Sequence, residues 1–193
     1  IAAAAHYLAR QGGDPLLLVM PSDHVMGDVD LFLKVVEKAA PAAREGWFVT
    51  FGVKPRSPSP HYGYILAGEV LENGATKVEC FVEKPDKKTA QAYLRENHWL
   101  WNSGIFLFSA KAYLAALSER QRVVFDASLA ALSRASRRQN VLCLNGESFS
   151  ACPSISIDYA LMEGNERSAV IPLGTAWRDM GTWPSLFGSL FRI

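Results

Sequence analysis

Apolar and polar positions fall into two rhythms along this chain. Leu16-Leu17-Leu18-Val19-Met20 is an unbroken apolar run, preceded by Gly12-Gly13-Asp14-Pro15 and followed by Pro21-Ser22-Asp23-His24. A run this short, with breakers on both sides, predicts a fully buried strand of the kind that parallel sheets use. From Val29 to Ala40 the apolar residues Leu31, Phe32, Val35, Val36 and Ala39 recur on one helical face, with Asp28 just before them. Trp47 to Phe51 predicts a second buried strand. Strand, helix and strand joined by short links point to a three-layer α/β domain with right-handed crossovers.

The middle of the chain changes character. Lys54 to Pro60 holds three prolines and two serines and predicts a loop. Tyr62-Gly63-Tyr64-Ile65 opens a strand, and Glu72-Asn73-Gly74 predicts a hairpin turn into Thr76 to Glu83. Helices are expected over Ile1 to Arg10, Thr89 to Asn97, Ala110 to Ser118, Phe125 to Arg138, Ile157 to Glu163 and Thr182 to Phe191. Further strands are expected over Ile105 to Phe108, Val141 to Leu144 and Ala169 to Leu173. The order fits a doubly wound, Rossmann-like mixed sheet with a small antiparallel insertion. In such sheets ligands sit beyond the carboxyl ends of the strands.

Composition narrows the function. The 193 residues are 49% hydrophobic and 20% charged, with a net charge of +1. That is the balance of a soluble globular domain, with no electrostatic case for nucleic acid or an anionic membrane. The basic cluster Arg134 to Arg138 reads as the solvated face of a helix. No apolar run is long enough to cross a bilayer. Cys80, Cys143 and Cys152 are odd in number and show no metal-ligand spacing, so reduced thiols in a cytoplasmic protein are expected. The chain opens on Ile1 and closes on Ile193 after an apolar stretch, and both ends read as cut from a longer polypeptide.

Candidate chemistry lies where polar clusters interrupt the apolar runs. Phe81-Val82-Glu83-Lys84-Pro85 sets a carboxylate and an ammonium side by side at a strand end, with Pro85 stopping the ladder. On that strand Val78, Cys80 and Val82 can face one side, and Phe81 and Glu83 the other. Asp23, directly after a buried run, can hold Mg²⁺ or cap a turn. Asp179 lies between Trp177 and Trp183, with Gly181 and a Thr182 that can cap the last helix; it can be a second metal acid or a turn stabiliser. His24 reads as a hydrogen-bonding partner rather than a base. Trp101-Asn102-Ser103-Gly104 offers an Asn with both donor and acceptor, suited to sugar hydroxyls, or else an Asx-turn feeding a strand. Gly63 lets backbone approach a ligand, or marks a bulge. No nucleophile sits in a recognisable setting, and there is no Walker loop.

Seven stretches then stand in the order of one family: Leu18 to His24, Val49 to Pro55, Tyr62 to Ile65, Phe81 to Asp86, Trp101 to Phe108, Ser156 to Glu163 and Trp177 to Trp183. The chain resembles the bacterial mannose-1-phosphate guanylyltransferases, including the form fused to phosphomannose isomerase. The resemblance implies a single partial nucleotidyltransferase domain over residues 1–193, joining GTP and mannose 1-phosphate into GDP-mannose and diphosphate. It also implies that Asp23 and Asp179 hold Mg²⁺ and that Lys84 neutralises the sugar phosphate. Asp23, Lys84 and Asp179 are thereby the catalytic candidates. Glu83, Asn102 and the Gly63 backbone would line the sugar pocket, with Asp158 nearby in a family motif. GDP-mannose commonly feeds polysaccharide synthesis; self-association is left open.

The chain also departs from that family. The glycine-rich loop that grips the triphosphate and the strand before it are not in these residues, nor is an isomerase domain. Pro58-Ser59-Pro60-His61 stands where the family has Pro-Glu-Thr-Gly, and Gly164 stands where a Lys is usual. The sequence therefore predicts an N-terminally truncated fold that is inactive by itself. The alternatives are another sugar-1-phosphate nucleotidyltransferase and a catalytically dead binding or regulatory module.

Overall fold

The computed structural model describes residues 1–96 and 98–181. The helix expected over 182–191, the Thr182 cap and Asn97 lie outside the described residues. In chain order the elements are α1 (Ala2–Arg10), β1 (Leu16–Val19), β2 (His24–Met26), α2 (Val29–Arg44), β3 (Phe48–Val53), β4 (Tyr64–Val70) and β5 (Thr76–Val82). They continue with α3 (Lys87–Glu96), β6 (Trp99–Ser109), α4 (Ala110–Arg120), α5 (Arg122–Ser133), β7 (Ser136–Arg138), β8 (Val141–Cys143) and α6 (Gly146–Ser150). A π-helical turn (Asp158–Met162), β9 (Ser168–Pro172) and β10 (Trp177–Asp179) complete them.

Strand alternation builds the three layers. On β3 and β6, Val49, Phe51, Ile105 and Leu107 face α2, where they join Phe32, Ala39 and Ala43. Phe48, Phe106 and Phe108 face the other way, towards α1, α4, α5 and the π-helical turn, and meet Ala5, Leu117 and Leu161. Asp28 caps α2 by accepting from the Leu31 N–H at 2.9 Å. The helix runs one turn beyond the expected end, through Pro41, because Ala42 and Ala43 are fully buried against the sheet. Tertiary packing there outweighs the lost backbone donor.

The six-stranded sheet has the order β1-β6-β3-β9-β5-β4, and β4 pairs back onto β6. Five strands, β6, β3, β9, β5 and β4, therefore form a closed ring of pairings. Ile65, Val78 and Val170 make a separate small core, against which Leu100 packs. Gly52 permits this approach, since a Cβ there would lie 2.6 Å from Leu100 Cδ1 and 2.9 Å from Val170 Cγ2. The sheet is mixed as expected, and its parallel pair is β3 with β9.

Several local expectations change. β1 is antiparallel to β6 and only half-buried, with Leu18 and Met20 exposed; five apolar residues in a row do not reveal whether both faces are covered. On β5 the register shifts opposite Leu66 and Ala67, leaving Glu79 as an extra residue. Val78 therefore joins the small core, while Cys80 and Val82 pack towards Tyr64 and Trp101. Trp101 to Gly104 are strand residues of the eleven-residue β6 rather than a turn before it. Helix α5 stops at Ser133, and Arg137 and Arg138 sit on a β7–β8 hairpin that turns at Gln139, whose φ is +52°.

Candidate active site

The β2–β10 ladder joins two distant segments. Asp179 is paired with His24, Arg178 with Val25 and Trp177 with Met26. This antiparallel ladder, three residues long on each side, brings Asp23 and Asp179 together across 156 positions (179 − 23). Ligand atoms of Asp23, His24 and Asp179 all lie within 4.8 Å of one another. The Met180 N–H donates to the Asp23 carbonyl at 3.0 Å, and the Gly181 N–H donates to Asp179 Oδ1 at 2.7 Å. A Cβ on Gly181 would lie 2.8 Å from Asp23 Oδ2 and 3.0 Å from Asp179 Oδ1. The glycine thus keeps open the space the two carboxylates face. Among the described residues, neither acid is in a salt bridge. Two oxygen-donor groups converging without a counter-charge fit a divalent cation.

His24 belongs to the same corner. The Trp177 indole N–H donates to His24 Nδ1 at 3.2 Å, and the rings meet edge to face at 5.1 Å. Burial lowers the imidazole pKa, against the opposing pull of Asp179 and Asp23. Tyr62 stands between Trp101 and Trp177, with ring centroids 4.9 and 5.4 Å away. Burial, and then the Asp179 charge, raise its phenol. A cleft of about 1190 Å³ runs along this aromatic wall to Asp179, with Lys54, Arg56 and Arg178 in its lining.

A second group is built from side chains rather than from a ladder. β5 ends at Val82, so Glu83 and Lys84 leave the alternation of the strand. Lys84 takes a left-handed φ of +48°, which costs a lysine about 1–3 kcal/mol and concentrates at functional positions. Its Nζ lies 3.2 Å from Glu83 Oε1; the Glu83 side chain is 8% exposed and that of Lys84 is 59% exposed. Gly63 packs against this carboxylate, since a Cβ there would lie 2.5 Å from Glu83 Oε2 and 3.2 Å from Asn102 Cβ. The Gly63 carbonyl accepts from the Asn102 N–H at 2.8 Å. Gly63 thus makes a close approach to the protein's own Glu83 and Asn102 side chains.

Asn102 is buried, and its amide is nearly saturated. Its Oδ1 accepts from the Thr50 hydroxyl at 2.8 Å and from the Gly104 N–H at 3.2 Å. Its Nδ2 donates to Asp158 Oδ1 at 2.9 Å. The acceptor expected for sugar hydroxyls is therefore already in use, and among the described residues one amide N–H has no partner. Asp158, on the π-helical turn, joins the group through this bond. Burial raises the Asp158 pKa, opposed by bonds that include Asn102. Burial and then Asp158 raise Glu83, while Lys84 pulls it down. The Glu83 bond in turn raises Lys84.

The structure thus sorts the predicted residues into two sets, Asp23 with Asp179, and Gly63, Glu83, Lys84, Asn102 with Asp158. Gly104 links them: a Cβ there would lie 3.6 Å from Pro21 and 3.8 Å from His24 Cε1, two residues beyond Asn102. Thr50, Tyr62 and Trp177 escaped notice as side chains. Gly181, between an acid and a tryptophan, carried a visible signal; Thr50, inside an apolar strand, carried none. Arg120 was also missed, and it ties the π-helical turn to α4 by donating to the Leu161 and Glu163 carbonyls.

Known proteins resemble this chain. The family model for nucleotidyl transferases matches residues 1–190. The xanthan biosynthesis protein XanB of Xanthomonas campestris is 49% identical over 186 residues, 96% of this chain and 39% of that protein. The mannose-1-phosphate guanylyltransferase of Escherichia coli is 41% identical over 191 residues, 97% of this chain and 40% of that protein. A crystal structure from Thermus thermophilus, described as a mannose-1-phosphate geranyltransferase, superposes with a TM-score of 0.84 at 31% identity. That superposition covers all of this chain and 55% of the Thermus one. The chain spans about two-fifths of the length of the curated relatives it matches.

Proposed function

The chain belongs to the nucleotidyl transferase family, and from that premise we propose that it forms the sugar-phosphate and cation side of a mannose-1-phosphate guanylyltransferase. In that reaction an oxygen of the mannose 1-phosphate bonds to the α-phosphorus of GTP. The bond from that phosphorus to the bridging oxygen breaks, and diphosphate leaves. The attacking oxygen is already anionic, so no general base is required, and catalysis is a matter of positioning and charge. No protein nucleophile is needed.

The observation that carries the reading is the contrast within the second group: one exposed ammonium beside two partly buried carboxyls. Lys84 offers its exposed charge to a phosphate. Glu83, Asp158 and the free N–H of Asn102 offer acceptors and a donor to hydroxyls behind it. Mg²⁺ held by Asp23 and Asp179 would neutralise phosphate oxygens during transfer. The mannose and guanine preferences rest on likeness to the guanylyltransferase of Escherichia coli.

Calorimetric titration of this chain with mannose 1-phosphate, mannose and glucose 1-phosphate tests the reading. Mannose 1-phosphate should bind best, and Lys84→Ala should remove the advantage that the phosphate gives it over free mannose. Equal affinity for phosphorylated and free sugar, or an indifferent Lys84→Ala variant, rejects the assignment.

A further inference from the structure

We infer that Trp177 is a metal-specificity residue: its hydrogen bond to His24 keeps the imidazole out of the divalent-cation sphere, so that the site stays all-oxygen. The inference rests on the cation reading of Asp23 and Asp179 given above. Three groups converge there, and by distance alone the imidazole qualifies as a third ligand. Nitrogen ligation would draw the site towards cobalt, nickel or zinc, whereas carboxylate and water favour magnesium and manganese.

The bond to Trp177 decides against ligation. An indole N–H can only donate, so His24 Nδ1 must accept, at 3.2 Å. The Nδ1 lone pair is then occupied. In the neutral ring the hydrogen sits on Nε2, whose lone pair belongs to the aromatic system. Neither nitrogen can bind a cation, whichever of them faces the acids. Histidines that ligate metals show the reverse arrangement, donating their second N–H to a carboxylate or carbonyl. Here the second nitrogen receives a proton donor instead. Trp177 is itself held, by the ladder to Met26 and by the Tyr62 ring at 5.4 Å, so the lock does not depend on a mobile side chain. His24 is left with an Nε2–H, a donor beside two carboxylates.

The test is cation binding by the chain, with Mg²⁺, Mn²⁺ and Co²⁺ titrated separately by calorimetry and Co²⁺ also read by its visible absorption. Wild type should show the weak spectrum of an oxygen-ligated ion, unchanged in His24→Ala. Trp177→Phe keeps an aromatic ring but no donor. It should tighten Co²⁺ relative to Mg²⁺ on the order of tenfold and strengthen the absorption, and Trp177→Phe with His24→Ala should lose that gain. Weaker Co²⁺ binding in His24→Ala alone overturns the inference, because the imidazole would already be a ligand. Should Trp177→Phe fail to fold, ring ¹⁵N shifts of wild-type His24 decide: protonated Nε2 with unprotonated Nδ1, unchanged on adding Co²⁺, supports the lock, and the opposite tautomer refutes it. Absence of any cation binding that Asp23→Asn can remove overturns the cation reading itself, a result distinct from either.

Discussion

The two halves of the site are held together in opposite ways. Asp23 and Asp179 meet because backbone pairs with backbone, and their carboxylates stay free of salt bridges among the described residues. Glu83 pairs with Lys84, and Asn102 bonds to Asp158 and Thr50, side chain to side chain, while Gly63 packs against both Glu83 and Asn102. A ladder tolerates changes in the side chains it presents. A buried network does not, because each lost partner leaves a polar group without solvent. Substitutions at the cation end should therefore change binding and spare stability, while substitutions of the less exposed members of the sugar-phosphate end, unlike the exposed Lys84, should change both.

The sharpest break in this contrast comes from the acids. Asp23→Asn and Asp179→Asn should each abolish calorimetrically detectable Mg²⁺ binding with an unchanged melting temperature; a large fall in melting temperature would show that the acids hold the fold. Next is Lys84→Ala, which removes a charge-assisted contact of about 1.5–3 kcal/mol and should weaken mannose 1-phosphate roughly ten- to hundredfold. Because Lys84 is largely exposed, its loss should cost little stability beyond the Glu83 charge it leaves behind.

Gly63→Ala should lower stability by about 1–3 kcal/mol in denaturant titration, since its Cβ would meet Glu83 and Asn102. Thr50→Val should cost about 1 kcal/mol and loosen sugar-phosphate binding, with Thr50→Ser restoring both because it keeps the hydroxyl on Asn102. If Ser fails to rescue, the Thr50 methyl rather than its hydroxyl matters. The smallest effect is on pH dependence. Glu83 is raised above the ordinary carboxyl value of 4.5, so the native state binds its proton more tightly than the unfolded chain does. Its contribution to stability is complete below that value and declines as pH rises through the elevated one. Glu83→Gln should flatten the decline, and a wild-type curve that rises across that window would contradict it.

These halves differ just as much in how far they could be read from the chain. Phe81 to Asp86 is contiguous, so the strand end, the proline stop and the charged pair appear together in one glance along the sequence. The layers were legible too, because β3 and α2 carry clear apolar periods. The meeting of Asp23 with Asp179 was not legible, since β2 and β10 have three residues each, too few to show a period. Asn102 misled in another way. The Asx-type bond from the Gly104 N–H to Asn102 Oδ1 does form, but inside β6 rather than before it, where Asn102 and Ser103 are buried and Thr50, Asp158 and Ile105 also bond to them. A sequence shows that a residue is polar; only the fold shows who satisfies it.

The closed circuit of strands has a consequence for how the molecule breathes. Its hairpin, β4 with β5, is local in sequence, whereas the seam between β5 and β9 unites residues more than ninety positions apart through two residue pairs, Thr76 with Val170 and Lys77 with Ala169. The circuit should open first where its seam is shortest, and close there last during folding. Amide exchange should therefore be fastest at that seam and slower along β3 and β6. The hairpin that delivers Glu83 and Lys84 stays anchored on β6, and Leu71 and Ala75 at its turn hold it to the α2 core.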